Sequence, residues 1–336
     1  MRSDRILLAH GSGGTMMREL IEDVVVPDFA EDALKRLDDA ASLPFPGNRI
    51  AFSTDTYVVH PLFFPGADIG RLAVCGTVND VATSGATPLY LSVGFVLEEG
   101  FPVEDLRKIM ASMREAAREA GVHLVTGDTK VVEKGHGDGI FINTAGVGVL
   151  PDGRDLSGSY CKPGDKVLLS GTLGDHGITI VSCREGLEFS ADIQSDAAPL
   201  NHLCAAVLEA APDTRCFRDP TRGGLASTLN ELADASGVSI TVRETDVPVK
   251  PQVRGASEML GYDVFQVANE GKMVAIVPAE QADAALAAMK AAPYGADAAI
   301  IGEVAEAPAG KVYVHTAFGA TRIMDMLVGE QLPRIC

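Results

Sequence analysis

The alternation of apolar and polar positions divides the chain into two stretches of strand and helix joined by a turn-rich segment. In the first stretch, residues 49–59 alternate and are rich in β formers, which predicts a strand. Residues 89–97, 123–126 and 140–149 predict three more. Between them, residues 70–84 read as a helix of small side chains. The plainest helical signal covers 105–120, where Leu106, Ile109, Met110 and Met113 recur on one face and Gly121 supplies a stop.

The joint lies around Pro151-Asp152-Gly153-Arg154 and Lys162-Pro163-Gly164-Asp165. Beyond it the pattern predicts strands at 166–170, 238–242, 273–277 and 299–304. Helices are predicted from about His176, near 200–210 and 225–235, and over 281–291. Residues 329–336 lack periodicity and contain Pro333, so they read as a loose tail. A chain of 336 residues exceeds one small core, so two α/β halves are the expected organisation.

Composition narrows the picture. Hydrophobic residues make up 46% and charged residues 22%, a globular balance, and no apolar run reaches the length of a membrane span. The first residues, Met1-Arg2-Ser3-Asp4-Arg5, do not lead into a signal-peptide pattern, so a cytoplasmic location is expected. A net charge of −18 argues against nucleic acid. It would also oppose a nucleotide, unless aspartates hold Mg²⁺ that bridges to the phosphates. Six cysteines occur, none as C-x-x-C, which suggests neither zinc nor a redox pair. Cys336 differs from the other five in being the last residue of the sequence, within the expected tail.

Several short segments could carry chemistry. Asp55, Asp80 and Asp128 stand at strand ends or polar turns, within Ser53-Thr54-Asp55, Val78-Asn79-Asp80 and Thr126-Gly127-Asp128-Thr129-Lys130. Several carboxylates with a lysine would suit a Mg²⁺–phosphate site, whereas each aspartate alone reads more readily as a helix cap or turn. His10-Gly11-Ser12-Gly13-Gly14-Thr15 runs into an amphipathic stretch over 16–24 and offers backbone N–H groups to an anion, without the Walker spacing. In Arg218-Asp219-Pro220-Thr221-Arg222-Gly223-Gly224, a turn explains the proline and glycines but leaves the charged residues over. Glu270, in Ala268-Asn269-Glu270-Gly271-Lys272, is either a general base or a solvated loop carboxylate.

Taken in order, these motifs and the closing Pro333-Arg334-Ile335-Cys336 resemble the ATP-dependent superfamily of aminoimidazole ribonucleotide synthetase and selenophosphate synthetase. Within it they are most similar to the carbamoyl dehydratase family of hydrogenase maturation factors, over nearly the whole chain. The resemblance implies an N-terminal ATP-binding and dimerisation α/β domain over 1–153, forming half of a composite β-barrel across a homodimer. An α+β domain over 154–328 and a mobile tail over 329–336 follow. It further implies that the carbamoyltransferase HypF loads Cys336 and that ATP drives dehydration of the carbamoyl group to a thiocyanate. The cyano group would pass to iron on a HypC–HypD complex, for nickel–iron hydrogenase. By matching positions, Asp55, Asp80 and Asp128 would hold Mg²⁺. Asp219, Asn269, Gly127 and Thr221 would help bind ATP, Lys130 would neutralise phosphate, and Glu270 would take a proton. Two rival readings are weaker. Selenophosphate synthetases usually carry a reactive residue beside the N-terminal glycine loop, and here no cysteine precedes Cys75. A non-catalytic scaffold would leave the acidic and glycine-rich motifs without a use.

Overall fold

The computed structural model describes residues 3–11, 14–28, 40–186, 193–326 and 335–336. Ser12 and Gly13 of the glycine loop, and all of the expected tail except Ile335 and Cys336, lie outside the described residues.

The first sheet has the order β1-β6-β4-β5, with β1 at Ile50–Tyr57, β4 at Thr87–Glu98, β5 at His123–Val132 and β6 at Ile140–Val149. The β4–β5 pair is parallel and the other pairs are antiparallel. Period-two burial along β6 sends Ile140, Ile142 and Thr144 to one face, as expected for a sheet covered on one side. That face receives the helices α2 (Ile69–Thr83) and α3 (Val103–Ala120), while α1 (Gly14–Leu20) lies near the chain start. Leu106, Ile109, Met110 and Met113 are all buried, and Gly121 closes α3 in the left-handed region at φ 72°. The helix α2 lies close against β1, since a Cβ at Gly76 would stand 2.3 Å from the Tyr57 hydroxyl. The short β2 (Phe63–Phe64) and β3 (Ala67–Asp68) pair as a ribbon before α2.

The second sheet has the order β13-β12-β9-β11-β7-β10-β8. Its strands are β7 (Lys166–Leu169), β8 (Cys216–Arg218), β9 (Ser239–Arg243), β10 (Val274–Val277), β11 (Ala299–Ala305), β12 (Lys311–His315) and β13 (Thr321–Ile323). The β9–β12 pair is parallel, the others antiparallel. Among the described residues five α-helices accompany it: α4 (Asp175–Glu185), α5 (Asn201–Ala210), α6 (Gly224–Ser236), α7 (Pro251–Leu260) and α8 (Ala282–Ala291). The strands β7 and β10 are apolar on both faces because both are covered. Val167, Leu169, Val274 and Ile276 pack with α6, whereas Leu168, Ala275 and Val277 pack with α5 and α8. The expected α/β and α+β architecture is therefore found.

Polar side chains tie the halves together. Asn79 accepts the Leu200 N–H at 2.7 Å and donates to the Ala198 carbonyl at 3.0 Å. Arg71 donates to the Ala197 carbonyl, and Asn201 to that of Ala120. A buried amide that lost both partners would cost about 1–3 kcal/mol, so Asn79 fixes how α2 meets the second half.

Candidate active site

Where the halves meet, a cleft of about 240 Å³ is lined from four directions. From the first sheet comes Asp55, in the same inward row of β1 as buried Ala51 and Tyr57. From α2 comes Asp80, one residue after the Asn79 staple, with one oxygen accepting the Ser53 hydroxyl at 2.9 Å. From the second half come Arg218, at the end of β8, and the turn to α6, carrying Asp219, Thr221 and Arg222. Gly223 ends that turn at φ 75°, the left-handed conformation that favours glycine. The fourth side is formed by Glu270 and Cys336.

Glu270 is 4% exposed, and one of its oxygens, Oε1, has no hydrogen-bond partner among the described residues. Its N–H donates to Asp196 Oδ1 at 3.1 Å. Gly271 is needed next, because a Cβ there would fall 1.7 Å from the Asp196 carbonyl oxygen. The Cys336 thiol borders the same cleft as Glu270, close enough to feel its charge. Burial, aided by the Glu270 carboxylate, pushes that thiol up, so the sulfur rests protonated in this arrangement.

Acidic groups crowd the cleft. Burial and the neighbouring Asp219 raise Asp80 to about 7. Burial also raises Asp219, with the nearby Arg218 acting in the opposite sense. Glu270 is pushed well above the carboxylate range by burial, then by Asp219, Asp196 and Asp55. Arg218 is itself paired to Glu231 on α6. Such a site favours a cation or a proton, and its all-oxygen donors Asp55, Asp80 and Asp219 have the chemistry Mg²⁺ prefers. Among the described residues no three acidic, His or Cys side chains form a closed metal cage. Mg²⁺ ordinarily takes only one or two carboxylates and completes its shell with phosphate and water.

Not every sequence-assigned residue reaches this cleft. Asp128 and Lys130 pair with each other at 2.7 Å on β5, exposed, and Gly127 and Asp128 line a different groove. Register explains the separation. Asp55 faces Thr144 on β6, the adjoining Asn143 faces Gly94 on β4, and Gly94 faces Asp128. Three strand spacings, roughly 14 Å, therefore divide Asp55 from Asp128 within one chain. Asn269 is fully buried and acts as a strut, donating to the Pro220 and Val267 carbonyls and accepting the Gly174 N–H. It positions the turn around Asp219 without lining the cleft. Sequence reading did not single out Asp196, Ser195 or His176, which back the cleft. Their one sequence signal was His176 beside a Gly-Asp at the start of a predicted helix.

Residues 162–315 match the AIR synthase related protein, C-terminal domain, and residues 37–150 the corresponding N-terminal domain. The whole chain is 55% identical to the carbamoyl dehydratase HypE of Azotobacter vinelandii, covering 98% of that protein. A crystal structure of the hydrogenase maturation protein HypE in complex with ATP is similar at a TM-score of 0.95, with 51% identity over 98% of this chain and 99% of that one. A crystal structure of a HypE–HypF complex gives a TM-score of 0.81, with 51% identity over 92% of this chain and 99% of that chain. Both halves, the full length and the fold thus agree, and the chain belongs to the HypE family of carbamoyl dehydratases, within the AIR synthase related proteins.

Proposed function

We propose that this protein dehydrates an S-carbamoyl group on its own Cys336 to a thiocyanate, using ATP, to supply the cyanide ligands of nickel–iron hydrogenase. The observation that carries the reading is the Cys336 thiol beside buried Glu270 in an acidic cleft between the two halves.

The chemistry follows from the leaving group. An amide oxygen leaves poorly, so S–C(=O)–NH₂ does not simply expel water. Transfer of the γ-phosphoryl to that oxygen, with loss of one proton from nitrogen, gives an imidate phosphate, S–C(OPO₃²⁻)=NH. Departure of phosphate with loss of the second nitrogen proton leaves S–C≡N, ADP and phosphate. Glu270 takes a nitrogen proton, a role suited to a carboxylate whose basicity is raised by burial and acidic neighbours. Asp55 and Asp80, with Asp219 near, would hold Mg²⁺, whose contribution is to neutralise the triphosphate. Thr221 and the helix start at Gly224 offer polar groups to the nucleotide. ATP as the nucleotide is supported by the ATP-bound relative.

Lys130 and Asp128 enter this scheme through a homodimer. The face of the first sheet opposite the helices carries Ile50 at 61% and Phe52 at 68% exposure, an apolar surface suited to a second copy closing a shared barrel. HypF as the carbamoyl donor is supported by the relative solved with it. The family resemblance points to a HypC–HypD complex as the acceptor of the cyano group. Among the described residues no helix is long and apolar enough to cross a membrane.

Intact mass after incubation with HypF, carbamoyl phosphate and ATP tests the reading. Wild type gains a carbamoyl group and then loses one water. Cys336→Ala gains nothing, while keeping its fold and its affinity for Mg-ATP. Thiocyanate formation by the alanine variant would sink the proposal.

A further inference from the structure

The thiol does not reach Glu270 by its own contacts alone. Ile335 is 3% exposed and packs into the first hydrophobic core with Ile180, Ala197 and Ala268. Val58, just past β1, donates its N–H to the Cys336 main-chain oxygen at 3.0 Å. His176, fully buried at the start of α4, places Nε2 2.7 Å from the Ile335 carbonyl oxygen. Since a carbonyl only accepts, Nε2 carries a proton, and in the neutral ring Nδ1 is then bare. Nδ1 lies 2.9 Å from the Ser195 hydroxyl, which therefore donates to it. The Ser195 oxygen in turn accepts the Ala197 N–H at 3.2 Å. Phe64 closes the other side, its ring edge-on to the imidazole at 5.5 Å and 82°. Each donor in this chain has one acceptor, and burial holds the imidazole below its ordinary value, in the neutral form the chain requires.

We infer that His176, with its tautomer set by Ser195, is a positioning residue that seats the Ile335–Cys336 peptide so that the sulfur lies against Glu270. This rests on the assignment of Cys336 as the group acted on, and it adds how the protein recognises that segment. Recognition runs through two main-chain oxygens and one apolar side chain. The sulfur is left facing the cleft and can carry a carbamoyl group without disturbing the grip.

The test reads seating and chemistry separately on the full chain. Alkylation of Cys336 by iodoacetamide is followed by peptide mass, because Cys183 is exposed and reacts as well. His176→Ala removes the hydrogen bond to the Ile335 carbonyl, along with that to Ser195, and should speed Cys336 alkylation about tenfold, the population shift that one bond to the segment produces. His176→Gln keeps a donor near the Nε2 position and should restore most of the shielding. Ile335→Asp should unseat the segment at least as much, with a modest fall in Tm from the lost core contacts of that one side chain and both sheets still folded. Single-turnover dehydration of pre-carbamoylated protein should slow in the same order. Wild-type shielding in both His176→Ala and Ile335→Asp overturns the inference. So does a Gln variant as exposed as the Ala variant, which would make the histidine mere packing. If His176→Ala does not fold, Ile335→Asp decides alone. If carbamoylated wild type fails to lose water with ATP, the reading of Cys336 chemistry fails, while the alkylation order still reports on the cradle.

Discussion

Asp196 and Glu270 are buried carboxylates joined by a hydrogen bond between Glu270 N–H and Asp196, yet they face opposite electrostatic surroundings. Asp196 looks into a cavity on one side of the joint. There Lys272, 7% exposed, lies 2.9 Å from it, and Lys250 and Lys272 both approach Asp175. Burial works to raise Asp196, but Lys272 and its other partners outweigh it and hold the carboxyl below the usual range. Glu270 looks into the Cys336 cleft, where its charged neighbours are mostly Asp219, Asp196 and Asp55, and it is pushed up instead. The lesson is that burial alone does not mark a reactive carboxylate. The distinguishing feature is that, among the described residues, no cation pairs directly with Glu270 and Arg222 only partly offsets its acidic neighbours, which leaves the group to be satisfied by a proton or by a ligand. The Lys272 cavity is neutralised from within and holds the structure together.

Substitution at the two positions should separate them most sharply. Glu270→Gln should slow dehydration by roughly 10²–10⁴-fold, the range for loss of a general base. It should also raise the denaturation midpoint above neutral pH, because an ionised buried carboxylate is replaced by a neutral amide. Asp196→Asn should destabilise by about 3–5 kcal/mol, because it leaves Lys272 buried without its charge partner. Urea unfolding of both variants is the check. Equal destabilisation by the two would erase the distinction drawn here.

Asp80 extends the comparison to pH. Its folded value of about 7 lies above that of an unfolded aspartate, so between them the folded protein binds the extra proton. Stability from this group is therefore complete below about pH 4 and is lost as pH rises through 7. That rise corresponds to at most ~4 kcal/mol, reduced in practice by the partial exposure of the side chain. Asp80→Asn should flatten that slope in the nucleotide-free protein and weaken Mg-ATP binding. Mg-ATP should flatten the wild-type slope as well, since bound Mg²⁺ favours the ionised carboxylate. A slope unchanged by the mutation would place the titration elsewhere.

Much of this was legible in the sequence, for reasons that differ by residue. The core face of α3 is visible because a single sheet face demands a strict 3.6-residue recurrence. The acidic and glycine-rich motifs mark the cleft because turns that approach a ligand require Asp, Pro and Gly in set order. Other features were legible but unread, such as α7, with Pro251 at its first turn and Gly261 as its left-handed cap. The alternation in β12 of Lys311-Val312-Tyr313-Val314-His315 is another. Three-dimensional relations were not legible. Nothing local announces that His176 and Ile335, 159 residues apart, share a hydrogen bond. Nor does spacing show that Asn269 is a strut while its neighbour Glu270 enters the cleft.

The smallest effect should come from Asp128, and it separates one chain from two. In a single chain Asp128 is 66% exposed and pairs with Lys130 at 62% exposure. The lysine holds its carboxyl below the usual range, as an exposed, hydrogen-bonded pair would. Such pairs contribute about 0–1 kcal/mol, so Asp128→Asn should leave the unfolding midpoint of isolated chains nearly unchanged. If Asp128 also serves a nucleotide, it does so only after a second copy covers the apolar outer face around Phe52. The variant should then weaken Mg-ATP binding at protein concentrations where the dimer is populated, and should make no difference where it is not. Phe52→Asp, placed on that face to prevent closure, should abolish the dependence on Asp128 altogether. Calorimetry of the single and double variants, alongside sedimentation, gives the cycle. A weakening of the same size in monomer and dimer would show that Asp128 reaches the nucleotide within its own chain, against the roughly 14 Å that the strand register sets between it and Asp55.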